Sequence, residues 1–267
     1  MAIKRGIIRF FHIHAKISHL LILSFILSFF SDCSYTAKNN INSHEGTTTE
    51  ETLFQVSTFN ALLEGNYEGK KTFGELKKLG NFGIGSVQNL DGEMIALDGV
   101  FYQFALDGSA YPVSDGMQTP FAAVTFFKMD KELSIDKGPA IFSRLKNSLD
   151  SLITDKNLFY AIRIDGEFKS VKIRNVPAQK KPFRRLEDVI KKEQIIQEYA
   201  GINGTMVGFW YPVYTGGISI SGYHFHFITS DRTKGGHVLD CSLIKGKIQI
   251  DLTPQIHVEL LTSQNSN

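Results

Sequence analysis

Cysteine is scarce in this chain of 267 residues, which has only Cys33 and Cys241. A framework of several disulfides is therefore excluded. Seven prolines and 23 glycines are too few for a collagen-like or low-complexity chain. Apolar side chains, in contrast, make up 42% of the residues, which is enough for a sizeable core. The length allows one large domain or two small ones.

An excess of one sign of charge is also missing. The chain has 29 basic and 27 acidic residues. Residues 1–32 hold four of these bases and one of these acids, so the remaining chain has 25 bases and 26 acids. A body this close to neutral has no general electrostatic attraction for nucleic acid, and none is expected as a partner.

The N-terminal segment has the pattern of an export signal. Three bases in the first nine residues precede an apolar run at 19–30. This run is shorter than the roughly 20 residues that a membrane-spanning helix needs, so a signal peptide over 1–32 is predicted in preference to a retained anchor. Cys33 follows directly, as in bacterial lipoproteins, in which this cysteine is acylated. Residues 33–52 are polar and predict a tether. We therefore expect an exported bacterial protein, periplasmic or anchored to the membrane by a lipid on Cys33.

The rest of the chain predicts an α+β fold in which strands dominate. Short apolar runs alternate with glycine turns, and the pairs Asp91-Gly92 and Asp98-Gly99 are hairpin signals. The predicted strands are 82–87, 92–97, 100–105, 121–127, 158–164, 169–174, 206–213, 218–228, 238–244 and 247–252.

Three helices are predicted. The segment Thr72-Phe-Gly-Glu75 has the spacing of a capping box, with Gly80 as the end of the helix. Pro139 is expected to begin a second helix, whose apolar face holds Ile141, Leu145, Leu149 and Leu152. Pro182 is expected to begin a third, with Leu186, Val189 and Ile190 on one face and Gly201 at its end.

Two strand-rich segments resemble each other. Residues 97–109 and 220–232 each have a glycine, an aromatic alternating strand and a polar turn. This similarity predicts two related β-rich halves, about 53–157 and 158–260. The alternative is that any two amphipathic strands look this similar.

Three of the four histidines in the body fall within residues 224–237. His224 and His226 are two apart and therefore project from the same face of a strand. The polar, glycine-ended segment 229–236 can return the chain so that His237 reaches the same point. Three converging imidazoles are the protein ligands of a catalytic zinc site, although imidazole also suits iron, copper or nickel. The alternative for a His-x-His pair is a solvated strand face.

The segment Ser221-Gly-Tyr-His-Phe-His-Phe-Ile, followed by Gly235-Gly-His-Val, resembles the metal-binding signature of bacterial acetolactate decarboxylases. Further matches occur in the same order along the body. They are Leu62-Leu-Glu-Gly-Asn-Tyr-Glu-Gly69, Leu90-Asp-Gly-Glu-Met-Ile95, Tyr160-Ala-Ile-Arg-Ile-Asp-Gly166 and Gly204-Thr-Met-Val-Gly-Phe209. The resemblance covers about residues 54–260, within a single predicted domain over 53–267.

This resemblance implies a duplicated β-rich fold and a Zn²⁺ held by His224, His226 and His237. It also implies conversion of 2-acetolactate, a small 2-hydroxy-3-keto acid, to acetoin and CO2 through an enediolate that the metal stabilises. Glu93 and Arg174 match active-site residues, and Ser86 stands where the family usually has threonine. Dimerisation is usual for the family. Many members have a longer C-terminal tail with a further glutamate, and here Glu259 in the last strand-like run does not match it.

Other interpretations remain open at this point. The same fold could serve as a non-catalytic, metal-dependent module that binds a small oxygenated ligand. A cupin-like metal oxygenase also has His-x-His on strands, with Asp231 as the nearest carboxylate after the pair. Arg163 lies in a strand-like run before Asp165-Gly166, a pair expected to form a turn, and is the alternative to Arg174 as the active-site arginine. Asp251 and His257 are expected to be structural.

Overall fold

Strands account for most of the computed structural model, which describes residues 51–136, 138 and 140–261. The predicted signal peptide, Cys33 and nearly all of the tether lie outside the described residues. No described helix has the length and apolar character that crossing a membrane requires. The strands are β1 (Thr52–Val56), β2 (Lys71–Thr72), β3 (Phe82–Ser86), β4 (Glu93–Leu97), β5 (Val100–Phe104), β6 (Ala110–Pro112), β7 (Gln118–Thr119), β8 (Ala122–Thr125), β9 (Lys131–Ile135), β10 (Ala140–Ile141), β11 (Phe159–Asn175), β12 (Ile195–Tyr211), β13 (Gly222–Thr229), β14 (Gly235–Thr253) and β15 (Gln255–Glu259). The helices are α1 (Phe59–Leu63), α2 (Phe73–Leu76), α3 (Phe142–Leu152) and α4 (Leu186–Glu193).

The first sheet has seven strands in the order β15-β1-β8-β3-β4-β5-β6. Asp98 and Gly99 join β4 to β5 with φ values of +54° and +80°, so this pair forms the two-residue hairpin turn that the sequence predicts. All neighbours are antiparallel except β15, which pairs in parallel with β1. The Ser57 N–H extends this pairing by donating to the Glu259 carbonyl oxygen at 2.8 Å. The last strand in the chain thus completes the edge beside the first.

The second sheet has the order β10-β14-β11-β12-β13, and β9 also pairs with β14. Strand β13 additionally pairs with the start of β14, so the sheet folds back on itself. The separate strands predicted at 158–164 and 169–174 are wrong, because β11 runs unbroken through Asp165-Gly166. Gly166 faces Gly204 on one neighbouring strand and Gly246 on the other. A Cβ atom at Gly166 would lie 2.5 Å from the Lys245 carbonyl oxygen, so the glycine permits close strand packing instead of a turn.

The helices follow the predictions in part. Helix α2 begins with the predicted capping box: Glu75 N–H donates to Thr72 Oγ1, and Thr72 N–H donates to Glu75 Oε2. Helix α3 begins at Phe142, and Ile141 instead belongs to β10. Helix α4 ends at Glu193, well before Gly201, because the β-branched Ile195 and Ile196 pair with the end of β11.

The two sheets pack against each other through a shared apolar layer. Strands β3, β4 and β5 contribute Phe82, Ile95 and Phe104, all at most 1% exposed. The second sheet contributes Phe209 and Ile228 to the same layer. The other face of the second sheet packs on α3 in a separate cluster. The fold is therefore strand-dominated α+β as predicted, and the relationship between the two halves stays a prediction.

Candidate metal centre and active site

The hairpin of β13 and β14 brings the three predicted histidines together. His226 and His237 face each other across the two strands, and His224 lies two residues along on the same face. His224 Nε2 is 3.2 Å from His237 Nδ1. One nitrogen from each ring lies within 4.8 Å of the others, in the cluster of potential metal ligands found among the described residues. Phe225 and Phe227 point to the opposite face and pack in the core, as strand alternation requires.

Burial keeps these imidazoles neutral. Burial lowers the pKa of His226 to about 4 and lowers the pKa of His224 and His237 well below the usual value, and the charge of Arg174 adds to each effect. His226 Nδ1 is 2.8 Å from the Met94 carbonyl oxygen, which can only accept, so Nδ1 carries the proton. His226 Nε2 therefore presents a lone pair, and no described residue gives it a hydrogen bond.

The first sheet supplies a carboxylate and a hydroxyl to the same place. Ser86 and Glu93 face each other across β3 and β4. Glu93 Oε2 is 3.6 Å from His226 Nε2. Burial raises the pKa of Glu93 to about 7, although the charge of Arg174 opposes this rise. The Ser86 hydroxyl is buried, and its oxygen has no hydrogen-bond partner within the described ranges.

Arg174 lies near the end of β11, directly opposite His237 on β14. Its Nε is buried and finds no hydrogen-bond partner in the part of the chain that the structure describes. Arg163, the competing candidate, instead donates to Asp98 at 2.7 Å and to Asp165 at 2.6 Å. The structure thus places Arg174 beside the histidines and holds Arg163 in ion pairs.

A single pocket contains all six predicted site residues. Its remaining wall is apolar and comes partly from the short helices: Phe59, Leu62, Gly85, Leu90, Phe121, Val176, Leu186, Ile190 and Ile220 complete the lining. Sequence patterns identified Leu186 and Ile190 only as the apolar face of a helix, and α1 was not predicted. A five-residue helix has too few positions to show a 3.6-residue period.

Comparison with known proteins identifies the family. The family model described as alpha-acetolactate decarboxylase matches residues 53–267. The chain belongs to the alpha-acetolactate decarboxylase family. It is similar to the alpha-acetolactate decarboxylase of Methanosarcina mazei, with 46% identity over 80% of this chain and 73% of the relative. The enzyme of Bacillus subtilis strain 168 is 44% identical over 70% of this chain and 73% of the relative.

Solved structures agree with this family assignment. The crystal structure of alpha-acetolactate decarboxylase from Bacillus subtilis strain 168 superposes with a TM-score of 0.78 at 40% identity, and the match covers 81% of this chain and 93% of that chain. A Staphylococcus aureus protein described as similar to alpha-acetolactate decarboxylase gives a TM-score of 0.76 at 31% identity, covering 78% and 89%. As a member of the decarboxylase family, the protein is a carboxy-lyase.

Family membership also decides against the cupin-like oxygenase. Asp231 accepts hydrogen bonds from Thr229 and Thr233 inside the β13–β14 turn and serves to shape that turn. Glu259 lies in β15, where its Oε2 is 2.7 Å from Lys71 Nζ. His257 stacks on Phe54 with ring centroids 5.0 Å apart. These three residues have structural contacts, as expected for His257.

Proposed function

We propose that this protein decarboxylates 2-acetolactate to acetoin and CO2 with a zinc ion held by His224, His226 and His237. The observation that supports this most directly concerns buried polar atoms. His226 Nε2, Arg174 Nε and Ser86 Oγ are all buried without hydrogen-bond partners among the described residues, and all three side chains line the same pocket. Such atoms are costly to bury unless a ligand satisfies them.

The donor set fits a catalytic zinc site. Three neutral imidazoles leave coordination positions open for water or substrate, and the Met94 carbonyl fixes the tautomer and orientation of His226. When bound, such an ion supplies a Lewis acid that stabilises negative charge developing on the substrate oxygens. Zinc would suit these three imidazole donors, as iron, copper or nickel also would.

Arg174 is suited to bind the carboxylate of the substrate. Its guanidinium presents a fork of N–H donors that matches the two oxygens of a carboxylate. In the reaction, the bond between this carboxylate carbon and C2 breaks, CO2 leaves, and the electron pair stays on C2 as an enediolate. Arg174 orients the carboxylate before this step and releases neutral CO2 after it.

Glu93 is the candidate to deliver the proton that completes the reaction. C2 of the enediolate must take up one proton, and addition to one face gives a single acetoin enantiomer. The raised pKa of Glu93, about 7, leaves much of this carboxyl group protonated at neutral pH. Ser86 lies opposite Glu93 across the strands and can donate a hydrogen bond to the substrate or to this carboxylate.

The test is an assay of the purified zinc-loaded protein with racemic 2-acetolactate under anaerobic conditions. We expect acetoin with an excess of one enantiomer, which uncatalysed decarboxylation does not give. His226→Ala should lose both this product and bound zinc. Zinc binding without any acetoin above the uncatalysed rate would contradict the proposal and would favour the non-catalytic binding module.

We also propose that the protein is exported by residues 1–32 and anchored through a lipid on Cys33. Labelling of bacterial cells with an alkyne fatty acid should mark the native chain and leave a Cys33→Ser variant unmarked. Equal labelling of both would contradict the anchor.

We further propose a homodimer, and light scattering should give twice the mass of one chain.

A further inference from the structure

The pocket has two chemically different sides. The polar side chains come from strands β3, β4, β11, β13 and β14 of the two sheets. The apolar side chains include Leu62 from α1 and Leu186 and Ile190 from α4. Helix α1 and helix α4 contact each other, and Leu62, Leu186 and Val176 share one buried cluster. We call the part of this apolar lining formed by Leu62, Val176, Leu186 and Ile190 the α1–α4 wall, and Phe59, Leu90, Phe121 and Ile220 form the rest of the apolar lining.

The α1–α4 wall begins beside the candidate carboxylate-binding residue. Val176 follows Arg174 by two positions, and both line the pocket. In a 2-hydroxy-3-keto acid, the carboxylate, the hydroxyl and the keto oxygen are the polar groups, and the strand residues account for all three. The alkyl group on C2 shares its carbon with the carboxylate that Arg174 would hold. It diverges from the carboxylate at the tetrahedral C2, and Val176, which lines the pocket two residues after Arg174, is the apolar side chain nearest in sequence to the carboxylate-binding residue.

The helices of this wall are held in place by polar contacts outside the pocket. Arg185 forms an ion pair with Glu64 at 2.9 Å, which links the start of α4 to the end of α1. Gln179 accepts from Arg184 at 2.7 Å and donates to Glu193 at 3.1 Å, which holds the segment before α4 against its end. Exposed pairs of this kind contribute little to stability, and the buried packing of Leu62, Val176 and Leu186 in one cluster is the main support of the wall. A closely packed wall limits the size of what it contacts.

We propose that the α1–α4 wall sets the length of the C2 alkyl group that the enzyme accepts, and that Ile190 is the main size-limiting residue. This inference rests on the proposed function, since it assumes a 2-hydroxy-3-keto acid in the pocket. Leu62 and Leu186 are only 6% exposed and also support the core, whereas Ile190 is partly exposed. Ile190 can therefore be shortened with less loss of stability than the other two.

The experiment compares substrates that carry a methyl, ethyl or propyl group at C2 with otherwise identical structure. One methylene group in an apolar pocket changes kcat/KM by about 10-fold or more. We expect Ile190→Ala to raise the ethyl-to-methyl ratio of kcat/KM by about 10-fold, and Ile190→Val to raise it less. Leu63→Ala is the matched control, because Leu63 packs on the same cluster but lies outside the pocket lining, and its ratio should stay within 2-fold of the native value.

A binding measurement makes the result independent of turnover. The corresponding 2,3-dihydroxy acids, in which the ketone is reduced, cannot lose CO2, and their Kd should show the same change of preference in Ile190→Ala. An unchanged ratio in folded Ile190→Ala and Ile190→Val, or an equal change in Leu63→Ala, would overturn the inference. If the native protein turns over none of the substrates, the proposed function fails instead, and the two failures are distinguished.

Discussion

The candidate metal ligands and the other polar residues of the pocket are positioned in different ways. The three histidines come from one hairpin, between residues 224 and 237, whose strands pair directly with each other. Ser86 and Glu93 come from the other sheet, and Arg174 comes from the end of β11. The contact between His226 Nδ1 and the Met94 carbonyl, at 2.8 Å, joins the hairpin to the first sheet. The placement of the candidate metal ligands thus depends on local strand pairing, whereas the placement of the proposed acid–base group, Glu93, depends on how the two sheets pack.

The largest effect is expected when one of the candidate metal ligands on the hairpin is removed. His226→Ala removes one of three imidazoles and should lower acetoin formation by at least about 10³-fold, since the proposed metal would supply several kcal/mol of charge stabilisation. Zinc content by mass spectrometry should fall in parallel. The surface variant His257→Ala is the control and should keep its zinc. A His226→Ala protein with native zinc content would show that the hairpin does not carry the metal.

A change at Glu93, on the first sheet, should lower turnover without loss of zinc. Glu93→Gln keeps the shape of the side chain but cannot transfer a proton, so turnover should fall by about 10²–10³-fold while zinc stays bound. Glu132→Gln is a matched control, because Glu132 pairs with Lys247 far from the pocket. Loss of zinc in Glu93→Gln would contradict the separation between metal binding by the histidine hairpin and proton transfer by Glu93.

The contact between the histidine hairpin and the first sheet can also be tested. Gly235 begins β14, and a Cβ atom there would lie 2.3 Å from the Phe104 ring of the first sheet and 2.2 Å from the Phe227 carbonyl oxygen. Gly235→Ala should therefore lower the free energy of unfolding by about 1–3 kcal/mol and weaken zinc binding and turnover together. Gly116→Ala serves as the control, since nothing lies within 4 Å of its Cβ position. Equal melting temperatures for the two variants would contradict this prediction.

The last effect concerns pH and the far end of β14, away from the pocket. Asp251 is 3% exposed, and burial raises its pKa to about 7, while the Lys128 N–H opposes this and the Asp130 and Glu51 carboxylates add to it. The folded state therefore binds this proton more tightly than the unfolded state. Its contribution to stability is present at about pH 4 and is lost as the pH rises through 7.

Asp251→Asn should remove that dependence. The difference in unfolding free energy between the variant and the native protein should shift in favour of the variant by at most about 4 kcal/mol between pH 4 and pH 8. Denaturant titrations at several pH values measure this shift. A pH-independent difference would show that Asp251 keeps an ordinary pKa.

The same contrast explains what could be predicted from the sequence. The spacing alone predicts that His224, His226 and His237 converge, because strand alternation and a short turn are local properties. Glu93 and Arg174 came from the family resemblance, since no spacing shows that two sheets will bring them together. The Asp165-Gly166 pair has the local pattern of a turn. The glycine partners on β12 and β14 that allow it to remain in a strand are distant in sequence, so local patterns do not show them. The same limit applies to the α1–α4 wall.

The parallel pairing of β15 with β1 has a consequence for the folding of the chain during synthesis. During synthesis, β1 leaves the ribosome about two hundred residues before the strand that covers its outer edge. Until then, this edge offers unpaired backbone groups on which another chain could add a strand. Completing the first sheet is therefore one of the last events in the folding of this chain, and a nascent chain that stops before residue 255 leaves that edge open.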